Sequence, residues 1–198
     1  MSLRLCSQNW PRCQVDRLKA RLVAKGYTQI FGLDYSDTFA PVAKIAFVHL
    51  ILSMAAVRHW PLYQLDIKNA FLHGDLEEEV YMEQPPGLVA QGESSSLVCR
   101  LRRSLYGLKQ SPRAWFGKFN TVIQEFGMTR SGVDHSVFYR HSSSGRCIYL
   151  VVYVDDIVIT GNDQDGITDL KQHLFKHFQT KDLGRFKYFL SIEVAQSN

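Results

Sequence analysis

The sequence predicts an α+β domain, on three observations. Two β-branched apolar runs flank Asp155-Asp156 within residues 148–160. Two amphipathic stretches carry apolar stripes at helical spacing: Trp115, Phe119, Val122 and Phe126, then Ile167, Leu170, Leu174 and Phe178. The element order is helix, strand, helix, three strands, helix, strand, without regular βαβ alternation. The 198 residues match a single domain, for which roughly 100–200 residues is usual.

Residues 44–59 predict a helix entered after Pro41. Its apolar residues (Ile45, Val48, Leu50, Ile51, Leu52, Ala55) lie on most faces, so it is expected to be largely buried. Residues 62–67 read as a strand with Asp66 near its end. Residues 91–96 (QGESSS) are a polar loop. Residues 111–126 form a helix, with Pro112 near its start, where a missing N–H is not needed. Residues 137–139 and 147–153 are strands joined by a Ser-Gly turn, and 157–160 is a third strand. Residues 165–178 are the last helix. A closing strand is expected over 186–194, after a turn at Gly184.

Apolar residues make up 45% and charged residues 21%, an ordinary globular balance that excludes wholesale disorder. The longest apolar run, residues 148–154, is far short of the ~20 residues of a membrane span, so no membrane is expected as a partner. Arg4, Ser7, Gln8 and Asn9 interrupt the first ten residues, which therefore lack a signal-peptide core. The expected location is cytoplasmic. The four cysteines (Cys6, Cys13, Cys99, Cys147) form no C-x-x-C pair and are expected to be free thiols.

The net charge of +4 is unevenly spread. Residues 1–33 carry +5 and residues 98–118 carry +6, while residues 66–83 carry −5. Two basic blocks around an acidic one suit a polyanion track beside a metal-binding centre, as well as ordinary solvated patches.

The chemistry concentrates at two places. A tight hairpin prefers Asn-Gly or Asp-Gly, so Asp155-Asp156 is poor turn chemistry, and adjacent carboxylates repel. Such acids between apolar strands suit a hard divalent cation; the bland reading is an exposed acidic turn. Asp66, at the end of a second apolar strand 89 positions before Asp155, completes a carboxylate set able to hold two ions ~3.5–4 Å apart for phosphoryl transfer.

Five blocks then carry a family resemblance. Tyr153-Val154-Asp155-Asp156 resembles the YxDD box of reverse transcriptases, and LDIKNAFL from Leu65 resembles their first-aspartate motif. LYGLKQSPRAWF from Leu105, KARLVAKGYTQ from Lys19 and DTFAPV from Asp37 are similar to the copia-type LTR-retrotransposon branch. Lys187-Tyr188-Phe189-Leu190, followed by Ile192-Glu193-Val194, fits the same pattern. The resemblance covers residues 16–196 and implies a palm, an antiparallel sheet backed by helices, with partial fingers.

It implies catalytic and magnesium-ligating roles for Asp66, Asp155 and Asp156. Asp66 and Asp155 would be direct ligands, Asp156 would tune the site, and Ile67 would add its backbone carbonyl. Two Mg2+ ions are implied, with Mn2+ as an alternative. Phe71 matches the aromatic position that excludes a ribose 2′-OH, although a plain core role suits it too. Gly107, Lys109 and Arg113 match the nucleotide- and template-contacting segment; the two basic side chains also suit ordinary surface. Lys19 and Arg21 match a triphosphate-holding segment, and Lys187 and Tyr188 the primer-holding hairpin. The implied partners are an RNA or DNA template with primer, deoxynucleoside triphosphates and other Pol segments; the implied setting includes a virus-like particle. The implied activity is RNA-directed DNA synthesis within a Pol polyprotein. Residues 1–15 do not fit the pattern, and residues 16–196 are expected to be a fingers/palm domain lacking the thumb end and RNase H. The competing reading is therefore an inactive relic that at most binds nucleic acid.

Overall fold

The computed structural model describes residues 2–9, 15–84, 98–185, 188–190 and 192–193. The chain divides into two compact units, one of residues 1–39 and 71–115, the other of residues 40–70 and 116–198. In the first unit, strands β1 (Ser2–Asn9) and β2 (Val15–Val23) pair antiparallel. Two short strands, β4 (Tyr81–Glu83) and β5 (Val98–Arg100), form a second antiparallel ladder.

The second unit is built on a six-stranded, fully antiparallel sheet. Its strands are β3 (Leu62–Ile67), β6 (Thr129–Arg130), β7 (Val137–His141), β8 (Cys147–Tyr153), β9 (Asp156–Gly161) and β10 (Thr180–Arg185), in the spatial order β10-β3-β9-β8-β7-β6. Mixed helix and antiparallel strand is what the sequence predicted. The period of two sorts the side chains onto the two faces. Leu65, Ile67, Ile148, Leu150, Ile157 and Ile159 are fully buried on one face.

That face is covered by two helices, α2 (Ser111–Glu125), whose residues from Phe116 belong to this unit, and α3 (Gln164–His177). Phe119 meets Phe138 of β7 edge-on at 5.9 Å and stacks on Phe178 at 6.0 Å. Ile167, Leu170 and Leu174 bury the expected stripe of α3. Asp163 caps α3 by accepting from the Gly166 N–H (3.2 Å), and Arg140 and Arg146 flank its carboxylate at 3.6 and 3.2 Å.

The opposite face is covered at one end by α1 (Ile45–Val57), whose Val48, Ile51, Leu52 and Ala55 pack with Leu62, Val151 and Val158. Asp134 accepts from the Lys44 N–H at the entry of α1 (3.0 Å). The expectation that this helix is largely buried is corrected. Ile45, Leu50 and Val57 are 49%, 60% and 80% exposed, because a helix lying on a sheet buries one stripe whatever its other faces carry.

The closing strand expected over 186–194 is also corrected. The chain instead forms β10, which lies along the edge of β3, and then a short antiparallel pair, β11 (Tyr188–Phe189) and β12 (Ile192–Glu193). Leu190, at φ +48°, makes the reversal between them. Thr180 and Lys181 lack the apolar pattern of a buried strand because β10 is an edge strand, paired on one side only.

Candidate active site

Two carboxylates, Asp66 and Asp156, share the α1-bearing face of the sheet beyond the stretch that α1 covers, and Asp155 lies next to them at the hairpin tip. Asp66 in β3 stands directly across the ladder from Asp156 in β9, and Asp156 in turn faces Tyr153 in β8. The Ile67 N–H donates to the backbone carbonyl of Asp155 (2.8 Å), which fixes the hairpin tip against the end of β3. All three aspartates are half-buried. The six-strand order thus sets Asp66 opposite Asp156, 90 positions later in the chain.

The hairpin itself differs from its expected form by one position. Asp155-Asp156 is not the turn. Asp156 opens β9 paired with Tyr153, so the two turn residues are Val154 and Asp155. Val154 carries the positive φ, +55°, which is costly for a β-branched residue. Strain of about 1–3 kcal/mol is typical of functional tips.

Electrostatics reinforce the geometry. Burial pushes the Asp156 carboxyl above the ordinary carboxylate range; a hydrogen bond from Gln64 Nε2 (3.3 Å) opposes the rise, and the charge of Asp66 adds to it. Clustered carboxylate oxygens on rigid strands are a donor set that fits a hard divalent cation. Asp66, Asp155 and Asp156 would hold it. Below its ordinary pKa, Asp156 is protonated in folded and unfolded chains alike and costs nothing. As pH rises through the window between the ordinary and the raised value, the folded state is penalised. Asp156→Asn is therefore expected to raise the melting midpoint of the chelator-treated protein at neutral pH and to diminish its stabilisation by added Mg2+, as thermal unfolding with and without chelator would show.

Gln64 was not foreseen from the sequence. The signal was present: residues 64 and 66 share one face of a strand, so a polar residue two positions before Asp66 points where it points. Lys181 was missed as well. It is the β10 partner of Asp66, which places Asp66 between Asp156 and Lys181 in one row across the sheet.

The other candidates with described side chains belong to the first unit. The Arg21 guanidinium lies over the Tyr106 ring (6.0 Å), and Phe71 meets the same ring edge-on (5.3 Å). Gly107, at φ +91°, lies against the backbone of residue 24: a Cβ there would sit 2.2 Å from the Ala24 carbonyl oxygen, and the Ala24 N–H donates to the Tyr106 carbonyl (2.7 Å). The close approach that demands glycine is thus supplied by this chain's own backbone. Gly107→Ala is expected to cost about 3 kcal/mol, measurable by urea unfolding. The Lys109 side chain is exposed, while its N–H donates to Gln29 Oε1 (2.8 Å).

Arg113 bonds Glu77 (2.9 Å), lies near Glu78 (3.7 Å) and reaches the Asp37 carbonyl (3.3 Å). Arg100 pairs with Glu79 (2.7 Å). Within the first unit, part of the acidic block thus answers part of the basic one: Glu77 and Glu78 pair with Arg113, and Glu79 with Arg100. The Lys19 and Tyr188 side chains, and the whole of Lys187, lie outside the described residues. Of the cysteines, Cys99 and Cys147 are free thiols; the side chains of Cys6 and Cys13 lie outside the described residues. No helix among the described residues is long and apolar enough to cross a membrane.

Residues 8–198 match the model of a family described as reverse transcriptase (RNA-dependent DNA polymerase). The chain is 45% identical over 182 residues to the "Retrovirus-related Pol polyprotein from transposon RE1" of Arabidopsis thaliana, covering 92% of this chain and 12% of that protein. It is 44% identical over 184 residues to the corresponding polyprotein from transposon TNT 1-94 of Nicotiana tabacum, covering 93% and 14%. It is 32% identical over 169 residues to the Transposon Ty1-H Gag-Pol polyprotein of Saccharomyces cerevisiae, covering 82% and 9%. The chain therefore spans about one eighth of the length of the plant relatives it matches.

Proposed function

This chain belongs to the reverse transcriptase (RNA-dependent DNA polymerase) family, in its copia-type branch, and from that premise we propose that it is the fingers-and-palm portion of an RNA-directed DNA polymerase. The observation that carries the reading is the pairing of Asp66 with Asp156 across an antiparallel sheet, with Asp155 at the adjoining hairpin tip held to the end of β3 by the Ile67 N–H. The reaction is attack of a primer 3′-OH on the α-phosphate of a deoxynucleoside triphosphate, with pyrophosphate leaving.

Asp66 and Asp155 would hold the two Mg2+ ions, with the Ile67 carbonyl as a further oxygen ligand and Mn2+ as an alternative metal. When bound, these ions supply charge neutralisation at the triphosphate and acidify the primer hydroxyl. Asp156, restrained by Gln64, sets the charge of the cluster rather than its geometry. Arg21 and Lys19 act on the triphosphate, and Phe71 excludes the 2′-OH. Gly107, Lys109 and Arg113 act along the nucleotide and template, and Lys187 and Tyr188 on the primer. Arg113 serves this role through the main-chain segment that its ion pairs hold in place, because its own charge is already matched by Glu77 and Glu78. Template binding through backbone charge is expected to weaken with salt.

The test is Mg2+-dependent extension of oligo(dT) on poly(rA) by the 198-residue chain. Extension that vanishes with chelator supports the polymerase. A folded chain that binds template–primer but never extends it supports the alternative, a nucleic-acid-binding relic.

A further inference from the structure

A second cluster of ligating side chains lies on the helical side of the sheet, away from the three aspartates. Glu125 at the end of α2 and His173 and His177 on α3 each offer one ligand atom within 4.8 Å of the others. The two histidines are four residues apart, so they stand on one face of α3. Their rings lie 4.4 Å apart between centroids.

The hydrogen bonds fix their chemistry. His173 Nε2 lies 2.9 Å from the Val122 carbonyl oxygen, and His177 Nδ1 lies 2.9 Å from the His173 carbonyl oxygen. A carbonyl only accepts, so each of these nitrogens carries the proton and donates. In the neutral rings the lone pairs are then on His173 Nδ1 and His177 Nε2. An imidazole whose other nitrogen donates to a backbone carbonyl is the usual state of a metal-ligating histidine, because that bond fixes tautomer and ring orientation.

We propose that Glu125, His173 and His177 form a zinc site that clips the last turn of α2 to the last turns of α3. Two imidazoles and a carboxylate suit zinc rather than magnesium or calcium, which prefer all-oxygen sets. Water takes the fourth tetrahedral position. Glu125 is exposed, so its side chain is able to swing toward the two fixed imidazoles and close the spacing toward the roughly 3.3 Å edge of a tetrahedron with bonds of about 2.0 Å. The site does not depend on the polymerase reading, since it lies under the other face of the sheet.

The experiment is calorimetric titration of the whole chain with Zn2+ in the presence of excess Mg2+, which keeps the aspartate cluster from competing. One zinc per chain is expected. His177→Ala and Glu125→Gln, both at exposed positions, should each weaken it at least about tenfold while leaving the circular dichroism spectrum unchanged; Cys99→Ser should leave zinc binding intact. Zinc should also raise the melting midpoint of the wild type and not of His177→Ala. The proposal is overturned if wild type binds no zinc under these conditions, or if His177→Ala and Glu125→Gln bind it as wild type does.

Discussion

Asp155→Asn is expected to abolish Mg2+-dependent primer extension, by about a thousandfold or more, with the fold intact. The amide is nearly isosteric and preserves the backbone at the hairpin tip, where the Asp155 carbonyl accepts from the Ile67 N–H. It removes the charge without moving the strands. Asp66→Asn should behave alike, since Asp66 lies on a rigid strand within the same cluster. Asp156→Asn should be milder toward the reaction and stabilising without cation, because its carboxyl resists ionisation in the folded state. Single-turnover extension by the three variants, beside their melting curves, separates the roles. Equal losses in all three, with no stability gain in Asp156→Asn, would refute the division of labour.

Phe119→Ala is expected to cost about 4 kcal/mol and to lower the melting midpoint by roughly 10 °C. Phe119 is fully buried and touches the rings of Phe138 on β7 and Phe178 just beyond α3, so it joins the sheet to both covering helices. Phe126, half-buried on the same stripe, should cost much less. Chemical denaturation of both variants checks the ratio.

The stripes that identify these helices were plain in the sequence, because Trp115, Phe119 and Val122 repeat at helical spacing whatever they pack against. The carboxylate site was legible for a similar reason: acids set at the ends of apolar runs violate local preference, and the family blocks place them. Three features were not legible. Apolar faces of α1 do not say which of them a neighbour covers, so Leu50 read like Ile51. The turn position depends on cross-strand register, which put Val154 rather than Asp156 in the strained place. The ion pairs of Arg113 and Arg100 with Glu77, Glu78 and Glu79 depend on tertiary proximity that a charge count cannot give. The His173-x-x-x-His177 spacing was readable; Glu125, 48 positions earlier, was not.

The strand order has a consequence for how the molecule comes into being. β7, β8 and β9 follow one another in the chain and pair as neighbours, so their meander closes only short loops. β3 must instead reach β9 across some 90 residues, and it then receives β10 on its free side. Long loop closure is the slow part of folding. The Asp155-Asp156 tip should therefore exist before Asp66 arrives beside it, and the ability to capture a divalent ion should appear with the last phase of refolding rather than the first.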